Sequence, residues 1–156
     1  MNPTRTHFNI LVAEDDAEDR MLLQDALEEC CHNSTTHFVE DGEELIDYLY
    51  NRGKFADKLK HPAPAIILLD LNMPRKCGKD ALKEIKSSEQ LRCIPVVMLT
   101  TSKAEEDIQD AYSLGASSFI TKPVAFATLV EDMRTLCNYW FHVVRLPQTT
   151  PVREQQ

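Results

Sequence analysis

Two short apolar runs constrain this chain more than any other feature. Ala65-Ile66-Ile67-Leu68-Leu69 and Pro95-Val96-Val97-Met98-Leu99 contain no polar residue at either parity of the strand alternation. A strand with one wet face alternates apolar and polar residues, whereas an unbroken run is buried on both faces, as at the centre of a parallel sheet. Each run stops at a residue with chemistry to offer, Asp70 after the first and Thr100 after the second.

The rest of the chain supplies what such a sheet needs. Phe8 to Ala13 reads as a first strand that runs into Glu14, Asp15 and Asp16. Leu22, Leu23, Ala26, Leu27, Cys30 and Cys31 recur at helical spacing behind it, with Asp16 as cap and Glu18 and Asp19 at the positive end of the helix dipole. His37-Phe38-Val39 is a short strand signal, Asp41-Gly42 a turn, and Leu45, Ile46, Leu49 and Tyr50 mark a second helix. Residues 51–64 form a long polar connection. Ala81, Leu82 and Ile85 give a third helix, and Ser102-x-x-Glu105 reads as a capping box opening a fourth that stops at Gly115. Ser118 to Thr121 is a last short strand, and a long final helix is traced from Phe126 through Trp140 and Phe141. Five strands alternating with five helices imply a doubly wound parallel α/β sheet in three α/β/α layers, joined by right-handed crossovers. Such folds place their sites at the carboxyl ends of the strands.

Composition narrows the function classes. With 156 residues the expectation is one domain over 1–147, an apolar extension from about 139, and a disordered polar tail over 148–156. The net charge of −8 argues against nucleic acid and against an anionic membrane surface. The four glycines (Gly42, Gly53, Gly78, Gly115) are too scattered for a phosphate-cradling loop. No apolar stretch approaches the ~20 residues of a membrane span, and the N-terminus lacks the form of a signal peptide. Five irregularly spaced cysteines without a C-x-x-C pair suit reduced thiols, and hence a cytoplasmic location. Cys30, Cys31, His32 and His37 fit no zinc-finger spacing.

The strand ends carry one constellation: Glu14, Asp15 and Asp16, then Asp70, then Thr100, Thr101 and Ser102, then Lys122 and Pro123. Carboxylates gathered on one rim repel; a pair ~4 Å apart costs ~4 kcal/mol at an effective dielectric of 20. A hard cation such as Mg²⁺ relieves this and takes carboxylate and phosphate oxygens together. Asp70 is the natural nucleophile for an aspartyl phosphate, with Lys122 and Thr100 to meet phosphoryl charge. Taken singly, each residue also has an ordinary structural reading: Asp70 a turn former, Thr100 a strand-end hydroxyl, Lys122 a surface lysine. Glu18 and Asp19 are assigned to helix-dipole complementation, and so is Asp16 unless it joins the rim site.

Five motifs in order resemble the receiver domain of two-component response regulators: Leu11-Val12-Ala13-Glu14-Asp15-Asp16, Leu68-Leu69-Asp70-Leu71-Asn72-Met73-Pro74, Leu99-Thr100-Thr101-Ser102, Leu114-Gly115-Ala116 and Ile120-Thr121-Lys122-Pro123. The resemblance covers about residues 8–141. It implies a flavodoxin-like strand order 2-1-3-4-5 and a phosphoryl group accepted by Asp70 from a histidine kinase. It also implies Mg²⁺ held by Asp15, Asp70 and the main-chain carbonyl of Asn72, with Glu14 acting through metal-bound water. Lys122 would contact the phosphoryl group, Thr100 would move toward it beside Thr101, and Phe119 would be the coupled aromatic, unless it is simply core. The Lys122–Pro123 bond is expected to be cis. Such a domain is not an enzyme beyond its own phosphorylation and dephosphorylation. Cys77 departs from the usual polar residue after the phosphoacceptor loop, as a plain substitution or a redox-sensitive thiol.

Two further features resemble the stand-alone regulators that partner bacterial and cyanobacterial phytochromes: the long 51–64 connection and the apolar segment running from Tyr139 to Pro147. That resemblance implies a phytochrome-type kinase as partner and a homodimer formed through Trp140, Phe141, Val143 and Val144, where the alternative is a segment folded back on its own domain. Output then passes through protein contacts or onward phosphotransfer, as in a phosphorelay. A dehalogenase-type phosphohydrolase would want an acid where Asn72 stands. A flavodoxin-like electron carrier would want a hydroxyl- and glycine-rich loop where Glu14 to Asp16 stand.

Overall fold

The structure is a computed structural model that describes residues 7–147. The expected tail over 148–156, and residues 1–6, on which the leader reading partly rests, lie outside the described residues. Five parallel strands lie in the order β2-β1-β3-β4-β5. They are β1 (Phe8–Ala13), β2 (Ser34–Val39), β3 (Ile66–Leu69), β4 (Val96–Thr100) and β5 (Ser118–Thr121). Between and after them run α1 (Ala17–Cys30), α2 (Gly42–Leu49), α3 (Gly78–Ser87), α4 (Glu105–Ser113) and α5 (Phe126–Asn138).

The unbroken apolar runs behave as the central strands of such a sheet must. All four residues of β3 and all five of β4 are buried. Successive side chains go to opposite faces. Leu11, Ala13, Ile67, Leu69, Val96 and Met98 meet the apolar sides of α2, α3 and α4. Ile10, Val12, Ile66, Leu68, Val97 and Leu99 meet α1 and α5. Each such Leu or Ile stabilises the fold by roughly 1.5–3 kcal/mol.

Asp16 caps α1 as expected, accepting from the Glu18 and Asp19 N–H groups. Asp41 is not part of a free turn but the N-cap of α2, accepting from the Glu44 N–H at 2.8 Å. The 51–64 connection is folded rather than loose. A 3-10 turn, Gly53–Phe55, buries Phe55 against Tyr48. The Tyr48 hydroxyl donates to the Pro62 carbonyl, and the Asn51 amide donates to the Phe55 and His61 carbonyls.

Four expectations need correction. The capping box does not form: α4 starts one turn later than Ser102, whose hydroxyl instead accepts from the Ala104 N–H and donates to Asp107. The final helix changes pitch at Tyr139, where a π-helical turn, Tyr139–Val143, closes with Val144 N–H donating to the Tyr139 carbonyl. The Lys122–Pro123 bond is trans, for there is no cis peptide among the described residues; trans is the lower state for X–Pro by ~0.5–1 kcal/mol, and Lys122 reaches the strand-end acids from it. Finally, the cysteines are not all reduced. Cys31 and Cys137, 106 residues apart, form a disulfide. Spacing along the chain could not reveal it, because the two meet only when α1 and α5 pack side by side on one face of the sheet.

Burial works to raise the pKa of Asp41, but the Glu44 N–H and the Arg75 guanidinium, at 2.5 and 2.8 Å, outweigh it and hold the carboxyl below the usual carboxylate range. A depressed folded pKa means stability that is present above the unfolded pKa and lost as pH falls through the folded one. Asp41→Asn, which keeps a cap but removes the charge, is therefore expected to cost about 1–2 kcal/mol at pH 7. In urea unfolding, the gap to the parent protein should close as pH falls below the ordinary carboxylate range; a gap that stays constant with pH would contradict the ion pair's role.

Candidate functional site

The parallel sheet brings Glu14, Asp15 and Asp70 to one rim, each offering a carboxylate oxygen within 4.8 Å of the others. They leave adjacent strands: β1 and β3 pair so that Ala13 lies opposite Leu69, and the Asp70 N–H donates to the Ala13 carbonyl. Glu14 and Asp70 are buried and Asp15 is exposed. At this separation two like charges repel by about 3 kcal/mol at an effective dielectric of 20.

Lys122 offsets part of that repulsion. Following β5, its ammonium pairs with Glu14, with Asp19 at 3.0 Å and with Asp70 at 3.7 Å. Burial opposes the charge on Lys122, yet Glu14, Asp70 and Asp19 together hold its pKa above the ordinary lysine value. Glu14 responds differently. Burial pushes its pKa up, the Lys122 hydrogen bond pulls it back only in part, and Asp70 adds to the rise, leaving it at about 7.

The remaining expected residues fall into place unevenly. Thr100 is fully buried at the end of β4; its hydroxyl oxygen accepts from the Ser102 N–H at 3.5 Å and its carbonyl accepts from the Lys122 N–H. Thr101 is exposed, and so is Asn72 on the loop two residues past Asp70. Phe119 is half-buried on β5 opposite Met98 and packs against the α2/α3/α4 core. Cys77 is half-buried as the N-cap residue of α3, without a side-chain capping bond. In the C-terminal segment, Trp140 and Phe141 pack against the α1/α5 core, and the Phe141 ring stacks on Phe8 at 4.1 Å. Val144 is half-buried, while Val143 is 64% exposed.

Sequence reasoning missed four contributors. Asp19 was assigned to the helix dipole, but its carboxylate reaches Lys122, 103 residues away. Arg20 donates to the carbonyls of Glu14 and Asp15 at 2.9 and 3.0 Å and so fixes the acidic turn. Arg75, in the left-handed region at φ 66°, ties the loop after Asp70 to Asp41. Gly78 opens α3 against the end of β3: a Cβ there would lie 2.1 Å from the Asp70 carbonyl oxygen. Only Gly78 leaves a sequence signal, as one of four glycines falling just after the Asp70 motif.

Comparison with known proteins places these features in context. The chain matches the "Response regulator receiver domain" family over residues 10–134. It is 35% identical to the probable methanogenesis regulatory protein FilR2 of Methanothrix harundinacea, covering 90% of this chain and 88% of that one. It is 34% identical to the response regulator Rcp1 of Synechocystis sp., covering 88% of this chain and 92% of that one. Among solved structures, the Mn(2+)-bound form of Rcp1 aligns with a TM-score of 0.81 at 33% identity, over 90% of this chain and 99% of that one. The phosphorylated cyanobacterial phytochrome response regulator RcpA aligns with a TM-score of 0.84 at 36% identity, over 92% of this chain and all of that one.

Gly78→Ala is expected to lower stability by about 1–3 kcal/mol, because the methyl group meets backbone rather than a yielding side chain. The same variant should weaken divalent-cation binding in calorimetric titration, since the Asp70 backbone has to give way. Unchanged affinity would show that α3 does not set the position of Asp70.

Proposed function

The chain belongs to the response regulator receiver family, and from that premise we propose that Asp70 accepts a phosphoryl group from a histidine kinase of phytochrome type, in the presence of Mg²⁺. The observation that carries this reading is the Glu14, Asp15 and Asp70 cluster with the Lys122 ammonium held across it. Support for the kinase class comes from the likeness to Rcp1 and to the phytochrome regulator RcpA over nearly the whole chain.

The donor set fits a hard divalent cation: three carboxylates close together, two of them buried, with no soft ligand among them. Glu14, Asp15 and Asp70, with the main-chain carbonyl of Asn72, would hold it. Bound there, Mg²⁺ supplies positive charge to the phosphoryl oxygens. The chemistry itself belongs to Asp70. One carboxylate oxygen attacks phosphorus, the bond from phosphorus to the donor's imidazole nitrogen breaks, and the electron pair leaves with the imidazole. Lys122, 3.7 Å from Asp70, is near enough to neutralise charge on the transferred group. The buried Thr100 hydroxyl, freed from its long contact with the Ser102 N–H, would donate to a phosphoryl oxygen. Phe119 would then repack beside it. The signal leaves through protein contacts, in a homodimer that uses Trp140, Phe141, Val143 and Val144.

A small acyl-phosphate donor with Mg²⁺ should label the parent protein with one phosphoryl group and leave Asp70→Asn unlabelled, as read by intact mass. Label on Asp70→Asn would overturn the site assignment. Lys122→Ala should still label but lose the phosphorylation-dependent change in self-association; light scattering that shows a monomer at micromolar concentration would remove the dimer from this reading.

A further inference from the structure

We propose that Cys30, Cys31 and Cys137 form a thiol–disulfide exchange site, open to a small anionic thiol, that clamps the C-terminal apolar segment to the domain. Three sulfurs meet where the end of α1 packs on α5. Cys31 and Cys137 are bonded, and the free Cys30 sulfur lies 3.5 Å from the Cys31 sulfur. They line a cavity of about 250 Å³. Cys31 and Cys137 both line that cavity, but Cys31 is half-buried and Cys137 only 5% exposed, so Cys31 is the more open to a reagent.

The cavity's lining selects the class of thiol. Among the described residues no carboxylate lines this space, although Glu29 and Glu131 act on Cys30 from beside it; its charged and titratable members besides the sulfurs are Arg134, His32 and His142. Arg134 also pairs with Glu131. A guanidinium and two imidazoles suit a thiol that carries carboxylates, such as a short peptide thiol.

The exchange balances with two such thiols. The first thiolate attacks the Cys31 sulfur; a mixed disulfide forms, the bond to Cys137 breaks, and Cys137 leaves as a thiolate that takes up a proton. A second thiolate attacks the reagent's sulfur in the mixed disulfide and displaces Cys31, which is protonated in turn. Two electrons pass to the protein, and the reagent departs as its own disulfide; the reverse path restores the bond. Cys30 assists from its place beside Cys31. Burial holds its thiol above the ordinary cysteine pKa, so it stays an S–H donor to the Cys31 sulfur as that sulfur leaves with negative charge. Cys137 lies one residue before the end of α5, and the π-helical turn with Trp140 and Phe141 follows at once. Breaking the bond therefore removes the covalent tie to α1 at the start of that segment and leaves its packing through Trp140 and Phe141 as the remaining hold.

The full chain should be equilibrated in glutathione buffers of graded oxidation, its thiols trapped by alkylation, and the products mapped by mass. Cys31 and Cys137 are expected to convert together between bonded and free while far-ultraviolet circular dichroism is unchanged. Emission of Trp140, the one tryptophan of the chain, should shift red in step with reduction. Cys31→Ser, with Cys137→Ala as a second variant in case the first folds poorly, should sit at the reduced-state emission in every buffer. Cys30→Ala should reach the same end points about two- to tenfold more slowly, the loss of one hydrogen bond. A bond that persists in every buffer, or five free thiols in every buffer, would overturn the exchange site, and a complete exchange that leaves Trp140 emission unchanged would overturn the clamp. An unchanged rate in Cys30→Ala would overturn the role of Cys30.

Discussion

Like charges at the carboxyl rim of the sheet are the constraint around which the rest of the molecule is arranged. Three carboxylates within 4.8 Å of one another are not a stable cluster unless cations or hydrogen-bond donors surround them. The fold supplies both. Lys122 comes from the far edge of the sheet, and Arg20 grips the carbonyls under Glu14 and Asp15 from the first helix. Neither works without a parallel sheet, because only parallel strands end their β1, β3, β4 and β5 chemistry on the same rim. The apolar runs of β3 and β4 are thus a condition of the site as well as of the core.

Around that rim, the loops are tied to neighbouring helices by polar contacts. The loop after Asp70 is held by Arg75 on Asp41 and by the Gly42 N–H donating to the Lys76 carbonyl. The loop after Thr100 is held through Ser102 on Asp107, and Asp107 shares Lys79 of α3 with Asp110. Thr121 on β5 closes the circuit by donating to the Ser102 carbonyl. A displacement at Thr100 therefore meets α3, α4 and β5 through one chain of contacts, and it meets them at groups that are partly exposed and so able to re-pair with water at little cost.

The sequence made the architecture legible because periodicity reports burial directly. The unalternating runs located β3 and β4, and helical spacing located α1 to α5 to within a turn or two. The rim residues were legible because each ends or follows a strand. What stayed hidden was contact between distant segments. Asp19 on Lys122 spans 103 residues, and Cys31 on Cys137 spans 106. Neither has a local pattern, and an acid in the first turn of a helix already has a sufficient local reason to be there. The cis bond expected before Pro123 and the misplaced capping box are errors of another kind. The capping box is read from a short motif, and there the Ser102 hydroxyl takes the Ala104 N–H and Asp107 as partners instead; the cis bond is carried over from the family resemblance.

The net charge of −8 acquires a more specific meaning at the rim than it had as composition. Most of the acids lie on helix surfaces and in loops, but Glu14, Asp15 and Asp70 with Lys122 form a group two charges negative when all are ionised. A divalent cation brings that group to neutrality. The phosphoryl group proposed for Asp70 would replace one negative charge by roughly two and add acceptor oxygens. The imbalance of about one charge arises beside a lysine already shared among three carboxylates, so the ammonium has to redistribute its pairing. Asp19, at 3.0 Å and the most exposed of the three partners, is the one whose carboxylate water can most readily take over. On the proposed reading, phosphorylation is therefore expected to loosen the Lys122 pairing at the first turn of α1, where Asp19 sits, as well as to act at Thr100.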